Sequence, residues 1–292
     1  MGLVLLGADN LASDQADQNP SVFSRPKQAG RVPGKGWFEV LDRDATNVTV
    51  IFHNFVEWPT DEWAAELSRI ASENKRIQVV DMRPCAVKEI VASAFTNLRF
   101  SLTKVYLPET LETVRGDAFS QCKYLKIDRL PESLAVVERY AFYYVDLSSI
   151  TALPKSLYRV GNVAFLTTNL SIDLLPKTIT ELGRSSFSIS GENLEIACPS
   201  LEDVGHPGNV SEIKGNNLKT VWIRSSCDEI PVEPALWPFD TNQQDLVIYA
   251  EPDSKPEGWG EYFNRVWYMP GGPSGSSYYD AQVIWGQKTR PF

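Results

Sequence analysis

The sequence predicts an α/β repeat fold: a solenoid with a parallel strand ladder, short helical or irregular segments on the opposite side, and capping regions at both ends. Three observations predict it. A small residue followed by Phe recurs at Ala94-Phe95, Ala118-Phe119, Ala141-Phe142, Ala164-Phe165 and Ser186-Phe187. Each pair is answered by a prolyl step, at Leu107-Pro108, Leu130-Pro131, Leu153-Pro154, Leu175-Pro176 and Cys198-Pro199, giving a period of 22 to 24 residues. Aliphatic residues also keep fixed offsets from the proline: Leu111, Leu134, Leu157 and Ile179 three residues after it, Val114, Val137, Val160 and Leu182 six after it. Self-similarity at this period marks coils that bury their apolar face only by stacking on one another.

The chain divides into four parts. Residues 1–37 read as an extended arm. Residues 8–19 are polar and acidic, and Pro20, Pro26 and Pro33 with Gly30, Gly34 and Gly36 deny the next stretch regular structure. Such an arm is ordered by a partner, a neighbouring subunit or its own solenoid. Residues 38–76 read as the N-terminal cap. Val48-Thr49-Val50-Ile51-Phe52 is a strand by its β-branched and aromatic content. Pro59-Thr60-Asp61-Glu62 starts a helix, with Thr60 as N-cap and two acids in the first turn. Trp63, Leu67, Ile70 and Ala71 share one face of it.

Residues 77–245 are the repeats. Pro84 lies 24 residues before Pro108, so Val79-Val80-Asp81-Met82-Arg83-Pro84 reads as a degenerate first coil. Proline disfavours helix at the residue before it, so Lys104-Val105-Tyr106-Leu107 should be a short strand, and its successors a parallel ladder. The Ala-Phe segments then turn on the opposite side, with their rings stacked between coils. Burying one such ring contributes roughly 1.5–3 kcal/mol. After Pro199 the rhythm breaks: His206-Pro207-Gly208-Asn209 is a turn, Val221-Trp222-Ile223 a strand, and Pro231, Pro234 and Pro238 a loop. Residues 246–292 are a last coil, an aromatic cap and a tail. The Gly/Ser-rich residues 271–277 let that tail fold back or reach a neighbour.

The unit running from Val114-Arg115-Gly116-Asp117-Ala118-Phe119-Ser120-Gln121-Cys122 through Leu125 to Leu130-Pro131 and Leu134 resembles the BspA-type, or type 5, leucine-rich repeat. Leu246-Val247-Ile248-Tyr249-Ala250, Ser254-Lys255-Pro256-Glu257-Gly258-Trp259 and Val283-Ile284-Trp285-Gly286 look like that family's C-terminal coil. The resemblance covers residues 77–287 and implies a leucine-rich-repeat solenoid. For activity, it implies a non-catalytic adhesion or binding module of bacteria, protists or some of their viruses.

Charge and composition narrow the classes further. A net charge of −9 and a pI near 4.9 oppose nonspecific binding to nucleic acid or an anionic membrane. No apolar run reaches the 18 or so residues of a membrane span, so no membrane insertion is expected. Gly2-Leu3-Val4-Leu5-Leu6-Gly7 is too short for a signal peptide and lacks a preceding positive charge, so no export leader is expected. The two histidines, His53 and His206, have no zinc-ligand spacing and read as turn or surface residues. Cys85, Cys122, Cys198 and Cys227 form no C-x-x-C pair and read as small core residues. No catalytic residue, metal or cofactor is expected.

Binding by such an array falls on the strand face. The outward positions before successive prolines are Tyr106, then Asp128 and Arg129, then Thr151, then Asp173. Those after the proline pass from Glu109 and Glu132 to Lys155 and Lys177, so one flank changes from acidic to basic. Such a gradient orients a charge-complementary protein, although a plain solvated face has the same composition. At the other end Trp259, Tyr262, Trp267 and Tyr268 form either an aromatic platform for the rings of a cell-surface glycan or a cap on the last coil.

The function expected is non-enzymatic recognition or assembly, in particular as a surface-exposed attachment or decoration component of a bacteriophage virion. The alternatives are a bacterial protein-binding scaffold or adhesin, and a carbohydrate-binding module using the C-terminal aromatics. The expected partner is a protein or neighbouring subunit, met through the N-terminal arm and the solenoid face. The expected location is a virion surface or the cell exterior, with the cytoplasm as the alternative.

Overall fold

A computed structural model describes residues 35–183, 185–197, 213–214, 217–227, 239–241, 244–261, 263–268 and 277–292. Within them one hydrophobic cluster extends from Val48 to Ala281. The arm before residue 35, Cys198, the His206 turn and the prolines at 231, 234 and 238 lie outside the described residues.

At the N-terminal end the strand Asn47–His53 alternates, turning Val48, Val50 and Phe52 fully inward. It pairs antiparallel with Trp37–Asp42 on one side and parallel with Arg76–Asp81 on the other. The helix Thr60–Ser72 makes the parallel crossover. Thr60 is not its N-cap. The Trp63 amide donates to the Pro59 carbonyl at 2.8 Å, which makes Pro59 the cap, and no side chain caps the helix. The helix buries Trp63 and Ile70, while Ala71 is exposed. Trp63 Nε1–H donates to the Ala94 carbonyl at 3.1 Å, and its ring meets Phe95 at 5.9 Å and Phe52 at 5.1 Å. The open end of the coil stack is therefore closed by aromatic rings.

Each coil then repeats the same construction. A turn follows the proline, with the amides of Leu111, Leu134, Leu157 and Ile179 donating to the carbonyls of Pro108, Pro131, Pro154 and Pro176 at 3.0 to 3.1 Å. That turn drives the third residue inward, and all four are fully buried. The strand pairs of Glu89–Ile90, Thr113–Val114, Val136–Val137, Arg159–Val160 and Glu181–Leu182 form a parallel five-stranded ladder. On the far side the amide of each Phe donates to the carbonyl of the small residue ahead of the next Phe: Phe95 to Ala118, Phe119 to Ala141, Phe142 to Ala164 and Phe165 to Ser186, at 2.7 to 3.0 Å. A side chain no larger than Ala or Ser lets those backbones meet, and the five rings stack behind them.

The expected ladder of residues before the prolines is present but interrupted. It begins as Trp37–Asp42, Asn47–His53, Arg76–Asp81 and Lys104–Tyr106. It thins to single bridges from Lys104 to Lys126 and from Lys126 to Asp146. It resumes as five parallel strands: Leu174–Leu175, Asn193–Ile196, Thr220–Ile223, Val247–Ala250 and Gln282–Ile284. The ladder six residues after the proline, unforeseen as a sheet, bridges this gap.

The opposite side has the expected short helical or irregular segments as far as the Phe142 coil, and a sheet beyond it. It holds a 3-10 turn at Thr96–Leu98 and plain turns through the coils of Phe119 and Phe142. From Phe165 onward it is a sheet, with Phe165–Leu170, Phe187–Ile189, Ile213–Lys214, Phe239–Thr241 and Arg265–Tyr268 in parallel and Ser277–Asp280 antiparallel at its end. Phe165–Leu170 turns Phe165, Thr168 and Leu170 inward, but Thr167 and Asn169 take left-handed φ of 59° and 56° and the pairing with Phe187–Ile189 shifts register, so this strand is bulged rather than regularly pleated.

Candidate interaction surface

The alternation in Lys104–Tyr106 buries Val105 and leaves Lys104 and Tyr106 on the outside. The Arg83 guanidinium sits 4.1 Å from the Tyr106 ring centre and the Lys104 ammonium 5.0 Å from it. Lys104 also reaches Asp128 of the next coil at 3.5 Å, and Arg129 pairs back to Glu109. Arg83 is steadied by Asp81 at 2.6 Å. Hydrogen bonding to Tyr106 raises the pKa of Lys104 above its ordinary value, as bonding to Asp81 does for Arg83. Both stay cationic. Arg83, Lys104, Tyr106, Asp128, Arg129 and Pro131 line a shallow cleft of about 240 Å³. Tyr106, Asp128 and Arg129 thus lie together in one cleft. Exposed pairs of this kind contribute about 0–1 kcal/mol each, so they order the surface more than they stabilise the fold.

Thr151, Lys155 and Lys177 are exposed on later coils and do not line that cleft. The Lys155 amide donates to Glu132 at 3.2 Å, so the change of sign along the flank occurs between coils in contact. Asp173 is engaged by Arg290 of the tail at 2.7 Å. The tail folds back along the array: Trp222 Nε1–H donates to the Gln287 carbonyl at 3.0 Å, and Lys288 pairs with Asp253 at 3.0 Å.

Trp259 is not part of an aromatic platform. It is 1% exposed, packs on Phe263 and Trp285 at 5.3 and 5.9 Å, and donates its indole N–H to the Cys227 carbonyl at 2.9 Å. A ring sealed into the last coil has no face to offer a sugar. Tyr262 lies outside the described residues, and Trp267 and Tyr268 are described only as the backbone of the strand Arg265–Tyr268.

A different aromatic group emerges, which the sequence reading passed over. Tyr140, Tyr143 and Tyr144 flank the buried Ala141 and Phe142, with Tyr140–Tyr143 at 5.6 Å and Tyr143–Tyr144 at 4.5 Å, both edge-on. Burial, then the neighbouring Tyr144 and Tyr140, push the Tyr143 hydroxyl above its ordinary pKa. The signal was present: these places hold Asp117, Ser120 and Gln121 one coil earlier.

Other groups are built into the fold. His53 is not in a turn. It lies in the strand Asn47–His53, stacked on Trp37 at 4.2 Å and bonded to Glu39 at 2.9 Å. Cys122 and Cys85 are buried free thiols; burial pushes the first to about 12. Among the described residues no group of three or more His, Cys, Asp or Glu could hold a metal ion, and no helix is long and apolar enough to cross a membrane.

Compared with known families, residues 88–216 match the BspA type leucine rich repeat region in six copies. A search of the curated proteins finds no match. Among solved structures, a crystal structure of a leucine-rich repeat protein from Bacteroides ovatus is similar at 18% identity and a TM-score of 0.39. The match covers 88% of this chain and 71% of that one.

Proposed function

Since residues 88–216 belong to the BspA-type leucine-rich repeat family, we propose that the chain is a non-catalytic scaffold that binds a protein partner across the cleft of Tyr106, Asp128 and Arg129. One observation carries this: Arg83, Lys104, Tyr106, Asp128, Arg129 and Glu109, from successive coils, are already cross-linked on the outside by ion pairs and ring contacts. Arg and Tyr held in place in this way bind with little further ordering cost. The passage from Glu109 and Glu132 to Lys155 and Lys177 fixes the direction in which a partner lies along the array. Residues 38–76 and 246–292 serve as caps that keep the coil stack from pairing end to end.

An attachment or decoration role on a virion, or an adhesin role on a cell, would use this same surface outward. The scaffold role is the one that named residues support. The test is a peptide-display selection on the whole chain. Selected peptides should lose at least about tenfold in affinity for the Tyr106→Ala, Arg129→Glu double variant. A selection that enriches nothing, or peptides that bind both proteins alike, overturns the proposal.

A further inference from the structure

Four of the large apolar or aromatic side chains that stand exposed among the described residues belong to one region: Phe100 at 69%, Tyr124 at 64%, Tyr140 at 37% and Tyr144 at 40%. The repeat explains their alignment. Phe100 and Tyr124 each stand five residues after a stacked Phe, and Lys123, beside Tyr124, reaches the Tyr144 ring of the next coil at 5.4 Å. Half-buried Tyr143 lies between Tyr140 and Tyr144. Tyr140, Tyr143 and Tyr144 thus form a touching cluster, and exposed Tyr124 and Phe100 on the two preceding coils extend it as a stripe.

Two of its residues are held at a conformational cost. Tyr140 has φ 56° and Tyr144 φ 64°, in the left-handed region that bulky side chains disfavour. Equivalent places hold Ser93, Asp117 and Ser185 before the Phe, and Gln121 after it. Val163 and Thr167 take the pair in the next coil, but only the Phe142 coil places exposed rings at both. Strain accepted for rings that add nothing to the core points to use.

The rim is cationic in a protein of net charge −9. Arg99 covers Phe100 at 4.8 Å and Lys123 faces Tyr144 at 5.4 Å. Arg139 and Lys126, both exposed, complete it. Two acids lie alongside: Asp146, which accepts the Ser148 amide at 2.9 Å, and Asp117, whose amide donates to the Arg139 carbonyl at 3.0 Å, against the four cations Arg99, Lys123, Lys126 and Arg139. The tyrosine rings meet at 75° and 66°. They form notches rather than a flat platform, which suits an inserted side chain better than a sugar face.

We infer that the stripe of Phe100, Tyr124, Tyr140, Tyr143 and Tyr144 docks an acidic polypeptide segment, one of whose apolar side chains inserts between the tyrosine rings. The inference rests on the chain being a protein-binding scaffold, and adds a second surface with its own partner chemistry.

The test uses the whole chain and a fluorescein-labelled nonapeptide with one central Trp among Asp and Glu. Binding should weaken at least about tenfold in the Tyr140→Gly, Tyr144→Gly double variant. That variant should keep or raise its melting temperature, because Gly accepts the left-handed backbone. Lys123→Glu should also weaken binding. Replacing the central Trp by Ala, or the acids by Lys, should abolish it. No binding of the acidic peptide, or equal binding to the double variant, overturns the inference, as does preferential binding of a heparin oligosaccharide at the same residues. Display-selected peptides that respond to the Tyr106, Arg129 variant while the acidic peptide ignores the tyrosines would leave the scaffold standing and remove this site alone.

Discussion

The rings of Phe119 and Phe142 lie parallel, with 6° between their planes and 5.4 Å between their centres, and both are fully buried. With the neighbouring steps, the row keeps a spacing of 4.7 to 5.5 Å, close to the distance between hydrogen-bonded strands. The side chains therefore rise with the backbone, one ring per coil. Truncating Phe142 to Ala removes a ring with a stacked neighbour on each face and leaves a cavity that both neighbouring coils hold open. Urea unfolding should show a loss of about 3–5 kcal/mol. A loss below about 1 kcal/mol would mean that the coils collapse onto the gap, against the rigid stack described here.

Two glycines set how closely the coils approach. A Cβ on Gly161 would lie 2.5 Å from the Arg139 nitrogen, and one on Gly183 2.4 Å from the Asn162 nitrogen; both are backbone and cannot swing away. At Gly116 the nearest atom would be at 3.5 Å, an ordinary contact. Gly161→Ala should then cost about 1–3 kcal/mol in thermal or chemical unfolding, and Gly116→Ala well under that. Equal effects would show that close approach is not what selects glycine at 161.

Repetition made the interior legible. The phenylalanine row and the columns led by Leu111 and Val114 follow from packing that each coil repeats, so spacing alone exposed them. The second sheet from Phe165 was hidden because the same Ala-Phe signal precedes it, and the strand it opens is bulged at Thr167 and Asn169, so no two-residue alternation marks it. For Trp259 the sequence left platform and cap open, because burial of an aromatic beyond the regular coils depends on Phe263 and Trp285, which no period announces. Arg290 and Asp173 are 117 residues apart, too far for any local pattern to pair. On the surface, Tyr106, Asp128 and Arg129 could be found from their offset to the proline. Tyr140 and Tyr144 were overlooked because their meaning lies in a left-handed backbone.

The thiol of Cys122 is enclosed behind the phenylalanine row, and its Sγ lies 3.7 Å from the Phe95 carbonyl. Burial pushes its pKa to about 12, so the reactive thiolate is scarce at neutral pH. Iodoacetamide labelling followed by peptide mapping should leave Cys122 unmodified in the native protein and label it in denaturant. Rapid labelling under native conditions would place this coil open to solvent.

Arg115 bridges Glu89 and Glu138 across three coils, at 2.7 Å to each. Their side chains are 31 to 43% exposed, so solvent screens the pairs. Arg115→Met should cost no more than about 1 kcal/mol, and the difference from wild type should shrink in molar salt. A larger, salt-independent loss would make this ladder a structural element on a par with the buried row.

Glu251 gives the array an acid limit that can be isolated. Its Oε2 accepts the Ser225 amide at 2.8 Å and the Arg224 Nε–H at 2.9 Å. The Ser225 amide first, and then the Arg224 guanidinium, hold its carboxyl below the ordinary value of 4.5, against the opposing effect of burial. A depressed carboxylate stabilises the fold fully above its unfolded pKa, and that contribution is lost as pH falls through the folded value. Glu251→Gln should therefore be less stable than wild type at pH 7, by about 1 kcal/mol, with the deficit closing below the ordinary value. Unfolding curves for both proteins from pH 7 down to about 3 measure this directly. Asp44, held at about 2 by Asn47 and Thr46, titrates lower and is present in both proteins, so it does not mimic the effect. Parallel stability curves for the two proteins would mean that Arg224 is neutralised by Glu195, its other partner at 2.8 Å, and that the contact at Glu251 is dispensable.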